Sequence, residues 1–166
     1  MIERVLIAGV GNVFFADDGF GVEVARRLAA EPLPEGAAVA DYGIRGLHLA
    51  YRLLDPLELL IAVDAVPRGG TPGTLYAIEP ELTAPPDAEP AEAHGMSLPA
   101  VFAAVRLMGG VLPRVLVVGC EPARLEERMG LSPSVAAAVE PALAMVRSIV
   151  HRELTATAKV AREALP

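Results

Sequence analysis

The sequence has little of several features that commonly mark a class of protein. It has one cysteine, Cys120, so no disulfide forms within the chain, which favours a reducing compartment, and we expect the cytoplasm. Every long apolar stretch is broken by a charge, a proline or a glycine before it could span a bilayer, so no membrane partner is expected. The net charge is −7 and the basic residues are scattered, which argues against nucleic acid as a partner. No serine lies in a GxSxG elbow, so there is no obvious nucleophile.

What the chain does have is a regular alternation of strand and helix patterns. Its 166 residues, 53% of them hydrophobic, suit one domain with a large core. The apolar runs predict strands at 4–9, 37–43, 57–65, 74–79 and 114–119, and the amphipathic spacing predicts helices at 19–30, 47–54 and 98–108. We therefore predict an α/β fold, a three-layer sandwich with a largely parallel central sheet.

Two parts of the chain, the C-terminal region and the segment 79–93, are less regular. Ser132 as N-cap and Pro133 at the first helical position predict a last helix that runs to about residue 154, with Pro141 as a point at which it would kink or split. The domain is placed at 1–154, and 155–166 is expected to be a flexible tail. The acidic, proline-rich segment 79–93 is expected to be a mobile loop, of a length that is uncommon in a compact domain unless the loop serves a function.

The stretch GVGNVFFADDGFG, residues 9–21, combines a glycine turn with two carboxylates. Its opening resembles a phosphate-binding loop, but Asp17 and Asp18 would repel phosphate, and the full GxGxxG pattern is absent. Either aspartate could cap the helix that begins near Gly19, though both cannot occupy one cap. A nucleotide-binding module remains a hypothesis that rests on GVGN alone.

Further carboxylates lie at the carboxyl ends of later strands of the predicted sheet. Asp41 is near the end of the second strand and Asp64 near the end of the third, and ligand sites in open parallel sheets form outside these carboxyl ends. Clustered anions raise one another's pKa values unless a cation offsets them. Carboxylates alone would favour Mg²⁺, and an added imidazole, for which His94 is the candidate, would favour Zn, Ni or another first-row metal.

Each of these residues also has an ordinary structural explanation. Asp41 precedes Gly43 and could be a turn residue. His94 alone would be a surface histidine, like His48 and His151. Asp64 is harder to explain in this way, because it ends a buried run and no helix follows for it to cap.

Several motifs taken in order resemble one known family, the hydrogenase maturation proteases. They are GVGNVFFADDGFG, IAVDA with a following PG turn before TLYAIE, HGMSLPAV, LPRVLVVGCEP and GLSPSV, and together they span roughly residues 4–150. The resemblance implies an α/β sandwich and metal-contacting residues at Asp18, Asp64 and His94, which would also be the catalytic residues. Asp17, Asn12 and Asp41 are supporting candidates. The family's first-loop ligand can be Glu, and Asp18 is one methylene shorter.

The function that the resemblance implies is endopeptidase cleavage. The substrate would be the large-subunit precursor of a nickel-iron hydrogenase, from which a short C-terminal extension is removed once nickel has been inserted. Nickel would arrive in the substrate, and other divalent ions could occupy the site in vitro. The alternative is a non-catalytic nickel-sensing chaperone that docks on the large subunit. Whether metal or carboxylate drives hydrolysis, and the oligomeric state, are left open by the sequence.

Overall fold

The computed structural model describes residues 2–82 and 97–163, and in this part of the chain strands and helices alternate. The strands are β1 (Val5–Val10), β2 (Ala37–Gly43), β3 (Leu59–Ala65), β4 (Leu75–Ile78) and β5 (Arg114–Cys120). The helices are α1 (Phe20–Ala29), α2 (Gly46–Arg52), α3 (Leu98–Leu107) and α4 (Pro133–Glu163), and a 3-10 turn, Ala16–Gly19, precedes α1. Apart from the end of α4, the predicted elements are confirmed to within a few residues.

The five strands form one sheet in the order β2-β1-β3-β5-β4. Four of them are parallel, and only β4, at one edge, runs antiparallel to its neighbour β5. The parallel strands therefore bring their carboxyl ends to one side of the sheet, which we call the carboxyl edge. This is the largely parallel α/β fold predicted from the sequence.

The inner strands bury both faces, which explains why their sequences are apolar without interruption. Alternate residues of β1 and β3 belong to two separate cores. Ile7 and Ile61 pack with α1 and α4 on one face, and Leu6 and Leu60 pack with α2 and α3 on the other. These two cores make the three layers of the sandwich.

The last helix differs from its prediction. It does not end near residue 154 but continues to Glu163, with Pro141 inside it, so most of the expected flexible tail is helical. The segment 155–163 contains no glycine or proline, and its alanines, lysine and glutamate favour a helix.

One property of α4 also departs from the sequence expectation about membranes. By length and composition its span Pro133–Ala156 is long and apolar enough to cross a bilayer. The core helix of a soluble protein passes the same test, and α4 packs Val139, Leu143 and Val146 into the core beside the sheet. The helix is therefore weak evidence for a membrane location.

Two glycines allow α1 to start directly on the sheet. A Cβ atom on Gly21 would lie 1.9 Å from the carbonyl oxygen of Val63 and 2.5 Å from that of Val10. A Cβ on Gly9 would lie 2.4 Å from the carbonyl oxygen of Gly21. Because these neighbours are main-chain atoms, side chains at these positions would push α1 away from β1 and β3. The glycines of the first motif thus serve close helix–sheet packing.

We expect Gly21→Ala to destabilise the protein by about 3 kcal/mol or more, although alanine normally stabilises a helix interior, because the added methyl group overlaps backbone atoms. Gly109→Ala is the matched control. Gly109 has a φ of +79° but nothing within 4 Å of the added Cβ, so only the conformational cost of about 1 kcal/mol applies. Urea unfolding curves measure both. Equal losses for the two variants would contradict the packing explanation.

Candidate metal and catalytic site

The carboxyl edge brings together the first loop and the end of β3. Asp64 is the sixth residue of β3 and pairs in register with Gly119 of β5. The first loop leaves β1 and folds back over Gly11, which has a φ of +129°. A Cβ on Gly11 would lie 1.9 Å from the main-chain oxygen of Asp18 and 3.7 Å from Oδ1 of Asp64. Gly11 is therefore the point at which the Asp18 segment meets the Asp64 carboxylate.

Asp64 sits in an environment that disfavours its charge. Burial raises the pKa of its carboxyl well above the ordinary value, and the negative charge of Asp18 raises it further, while a hydrogen bond from the Ala65 N–H acts in the opposite direction. A divalent cation between the two carboxylates would remove this repulsion. The two carboxylates are oxygen donors of the kind that a divalent cation takes.

Asp18 is oriented by its own loop. Its Oδ2 accepts a hydrogen bond from the main-chain N–H of Asn12 at 2.8 Å, and the Asn12 side-chain oxygen accepts one from the Phe14 N–H at 2.9 Å. Asn12, a supporting candidate, thus positions Asp18 through its backbone and shapes the turn with its side chain.

The same contacts argue against a phosphate-binding role for the loop. Besides these two N–H groups, the Gly11 N–H donates to the carbonyl oxygen of Gly43 at 3.0 Å. The space beside Gly11 is filled by the chain's own backbone at Asp18. Donors that a phosphate would need are already used, so the glycine turn serves to place the carboxylate.

Asp17 is a structural anchor and does not cap α1. Its side chain is fully buried. The N-cap position of α1 is occupied by Gly19, so no side chain caps this helix. Oδ2 of Asp17 accepts hydrogen bonds from the N–H groups of Ala123 and Arg124 and from the Ser132 hydroxyl. Oδ1 accepts the Ser132 N–H at 2.7 Å. Burial opposes the charge, but these bonds outweigh it and lower the pKa of Asp17.

Asp41 is engaged in other contacts. Its Oδ2 lies 3.4 Å from Nε of Arg26, and its main-chain oxygen accepts a hydrogen bond from Arg45. It is the fifth of the seven residues of β2 and pairs in register with Gly9. These contacts give it a structural role at the outer side of the carboxyl edge.

His94, the predicted third ligand, lies outside the described residues, as does most of the acidic segment that precedes it. Within 2–82 and 97–163, no three His, Cys, Asp or Glu side chains are grouped so that they could hold a metal ion. The described part of the site is therefore the Asp18 and Asp64 pair.

A buried glutamate at the same edge was not predicted. Glu121, 5% exposed, follows β5, and its carboxylate accepts hydrogen bonds from the N–H groups of Arg68 and Gly69 and from the Tyr76 hydroxyl. Burial opposes its charge, but these donors outweigh that effect and lower the pKa of Glu121. It holds the turn that follows Asp64. The only sequence signal was a charged residue directly after an apolar strand.

The cysteine and the two described histidines lie apart from this pair of carboxylates. Cys120 is buried, and burial above all raises the pKa of its thiol to about 11, so it is a protonated hydrophobe at neutral pH. His48 and His151 are exposed.

Comparison with known proteins agrees with this fold. The hydrogenase maturation protease family matches residues 22–149. Hydrogenase expression/formation protein HupD of Rhodobacter capsulatus is 39% identical over 145 residues, which cover 86% of this chain and 69% of that protein. Hydrogenase 2 maturation protease of Escherichia coli is 31% identical over 144 residues, which cover 86% of this chain and 88% of that protein.

Solved structures show the same similarity. The Escherichia coli hydrogenase maturating endopeptidase HybD superposes with a TM-score of 0.75 at 29% identity, covering 90% of this chain and 93% of that one. A solution structure of an Escherichia coli endopeptidase gives a TM-score of 0.74 at 32% identity, with the same coverage of both chains.

The fold and its similarity to these relatives and solved endopeptidases define an α/β protein of the peptidase class. Within that class, the chain belongs to the hydrogenase maturation protease family.

We expect Asp17→Asn to destabilise the protein by about 3 kcal/mol, because the new amide group faces donors that lose their acceptor. Asp41→Asn is the matched control and should cost less than about 1 kcal/mol, since it breaks a partly exposed ion pair. Urea unfolding at pH 7 compares the two. If the two substitutions lower the free energy of unfolding equally, Asp17 is not a structural anchor.

The loss caused by Asp17→Asn should also depend on pH. Because the folded protein lowers the pKa of Asp17 below its ordinary 3.8, the stabilisation is present in full above about pH 4 and disappears as the pH falls through the lowered value. The difference in unfolding free energy between wild type and variant should therefore shrink in acid. A difference that stays constant down to pH 2 would contradict this assignment.

Proposed function

We propose that this chain is an endopeptidase that removes a short C-terminal extension from the large-subunit precursor of a nickel-iron hydrogenase after nickel insertion. The family and the Escherichia coli relative named as a hydrogenase 2 maturation protease support the reaction class. The observation that carries the proposal is the pairing of Asp18 with Asp64 at the carboxyl edge, where the charge of Asp18 raises the pKa of Asp64.

The three proposed metal contacts are Asp18, Asp64 and His94. Two carboxylates and an imidazole form a donor set that suits nickel and other first-row metals. The ion is carried by the substrate, so the protein supplies only an incomplete set of ligands. Other divalent ions would bind the same residues in vitro.

Metal recognition would then license cleavage. A precursor without nickel leaves the Asp64 carboxyl facing the negative charge of Asp18, and the substrate gains no contact there. A precursor with nickel would bring a positive charge that offsets the repulsion between the two carboxylates. Nickel-loaded substrate would therefore be held in place more tightly than empty substrate.

Two routes lead to hydrolysis from this arrangement. A divalent ion polarises a nearby carbonyl or lowers the pKa of water, and either effect supplies several kcal/mol. Alternatively, the Asp18 carboxylate acts as the general base that takes a proton from the attacking water. Asn12 keeps Asp18 in position in both cases. We place the reaction in the cytoplasm, since Cys120 is a free thiol.

Incubation with purified precursor tests the proposal. Nickel-loaded precursor should be shortened at its C-terminus, as seen by intact-protein mass spectrometry, and nickel-free precursor should not. Equal cleavage of both would remove the nickel dependence. A stable complex with no new C-terminus would instead favour the nickel-sensing chaperone.

Asp18→Asn and Asp64→Asn should each lower kcat about 100-fold or more on nickel-loaded precursor, because each removes a charge that contacts the ion or the reacting water. Asp41→Asn, at the same edge but paired with Arg26, should stay within about threefold of wild type. Initial rates by mass spectrometry measure all three. An equal loss of kcat in the Asp41 variant would show that the overall negative charge of this edge matters, and not the Asp18 and Asp64 pair.

A further inference from the structure

Apart from Tyr51 on α2, the large apolar side chains exposed in the described residues divide between two ends of the sheet. At the opposite, amino end of the strands lie Ile2, Leu54, Leu107, Met108 and Val111. At the carboxyl edge, in or beside the connections that follow β1, β2 and β5, lie Phe14, Ile44, Leu47, Leu125 and Met129, which we call the apolar rim. The rim therefore lies on the same edge as Asp18 and Asp64.

The most exposed rim residues stand on well-anchored backbone. Phe14 is 65% exposed, yet its N–H donates to Asn12 and its carbonyl oxygen accepts the Arg128 N–H at 3.0 Å. The Arg128 carbonyl oxygen in turn accepts the Ala16 N–H at 2.7 Å. Met129, 67% exposed, follows directly. Two loops are thus joined by main-chain hydrogen bonds while they present apolar side chains to solvent.

Two further rim residues, Leu125 and Ile44, also follow backbone that is held by hydrogen bonds. The buried Asp17 carboxylate binds the backbone at Arg124, next to Leu125. The Gly11 N–H binds the carbonyl oxygen of Gly43, next to Ile44. A surface held in this way does not need to rearrange before a partner covers it, and such preorganisation favours binding.

We propose that the apolar rim is the docking surface for an apolar segment of the polypeptide substrate. This inference rests on the proposed function and goes beyond it in naming the surface and the chemistry of the segment. A polypeptide that brings a metal ion to Asp18 and Asp64 must lie over the carboxyl edge. The five apolar side chains of the rim are exposed beside charged side chains such as Arg124 and Arg128, and only an apolar segment gains by covering the apolar ones.

The two ends of the sheet provide a matched pair of variants. The rim variant is Phe14→Ser with Met129→Ser, and the control is Leu107→Ser with Val111→Ser, whose side chains are 89% and 88% exposed at the opposite end. Both remove two exposed apolar side chains, so their melting temperatures should stay close to wild type. The measurement is KM and kcat on nickel-loaded large-subunit precursor.

The rim variant should raise KM about tenfold or more with kcat within about threefold, and the control should leave both unchanged. An unchanged KM in the rim variant, or an equal rise in the control, overturns the proposal. So does a concentration-dependent dimer of wild type that only the rim variant abolishes, because the rim would then bind a second copy of this chain.

Failure of the proposed function has a different signature. If wild type does not cleave the precursor, binding of precursor to wild type, rim variant and control is compared by interferometry. Binding weakened only in the rim variant supports the docking surface even without catalysis. Absence of binding by wild type overturns both proposals.

Discussion

The site depends on the hydrogen bonds of one buried carboxylate, Asp17. It joins the first loop to the connection that follows β5 and to the start of α4 at Ser132. The first loop also contains Ala16 with a φ of +48°, the one non-glycine positive φ among the described residues, at a cost of order 1 kcal/mol. The Asp17 anchor thus holds the segment that places Asp18 near the end of β3.

Three carboxylates at the carboxyl edge illustrate how environment assigns a role. Asp17 and Glu121 are buried, but donors surround them and lower the pKa of each, so both stay charged and structural. Asp64 has the opposite balance, since burial and Asp18 raise its pKa. A charge that the protein does not stabilise by itself is one that a bound cation can stabilise, and such groups concentrate at functional sites.

The glycine motif shows why a local pattern can suggest the wrong ligand. Gly9, Gly11 and Gly21 look like a phosphate-binding turn, but each place where a side chain is missing is filled by the protein's own backbone. The turn brings α1 against β1 and β3 and leads the chain back to Asp18. In other folds such glycines let the backbone approach a nucleotide closely. Here they let the backbone segments pack closely and place the Asp18 carboxylate.

The sequence by itself determined the layers, the parallel strands and the edge at which Asp18 and Asp64 appear, because apolar runs and helical spacing are local signals. The sequence analysis also singled out Asp17, but local patterns could not distinguish a structural anchor from a metal ligand. It did not identify Glu121, and it predicted an end for α4 that was too early. Only the tertiary structure decided these points. The donors that bind Asp17 lie more than 100 residues away in the chain, and those of Glu121 about 50, so their pairing depends on how the layers pack.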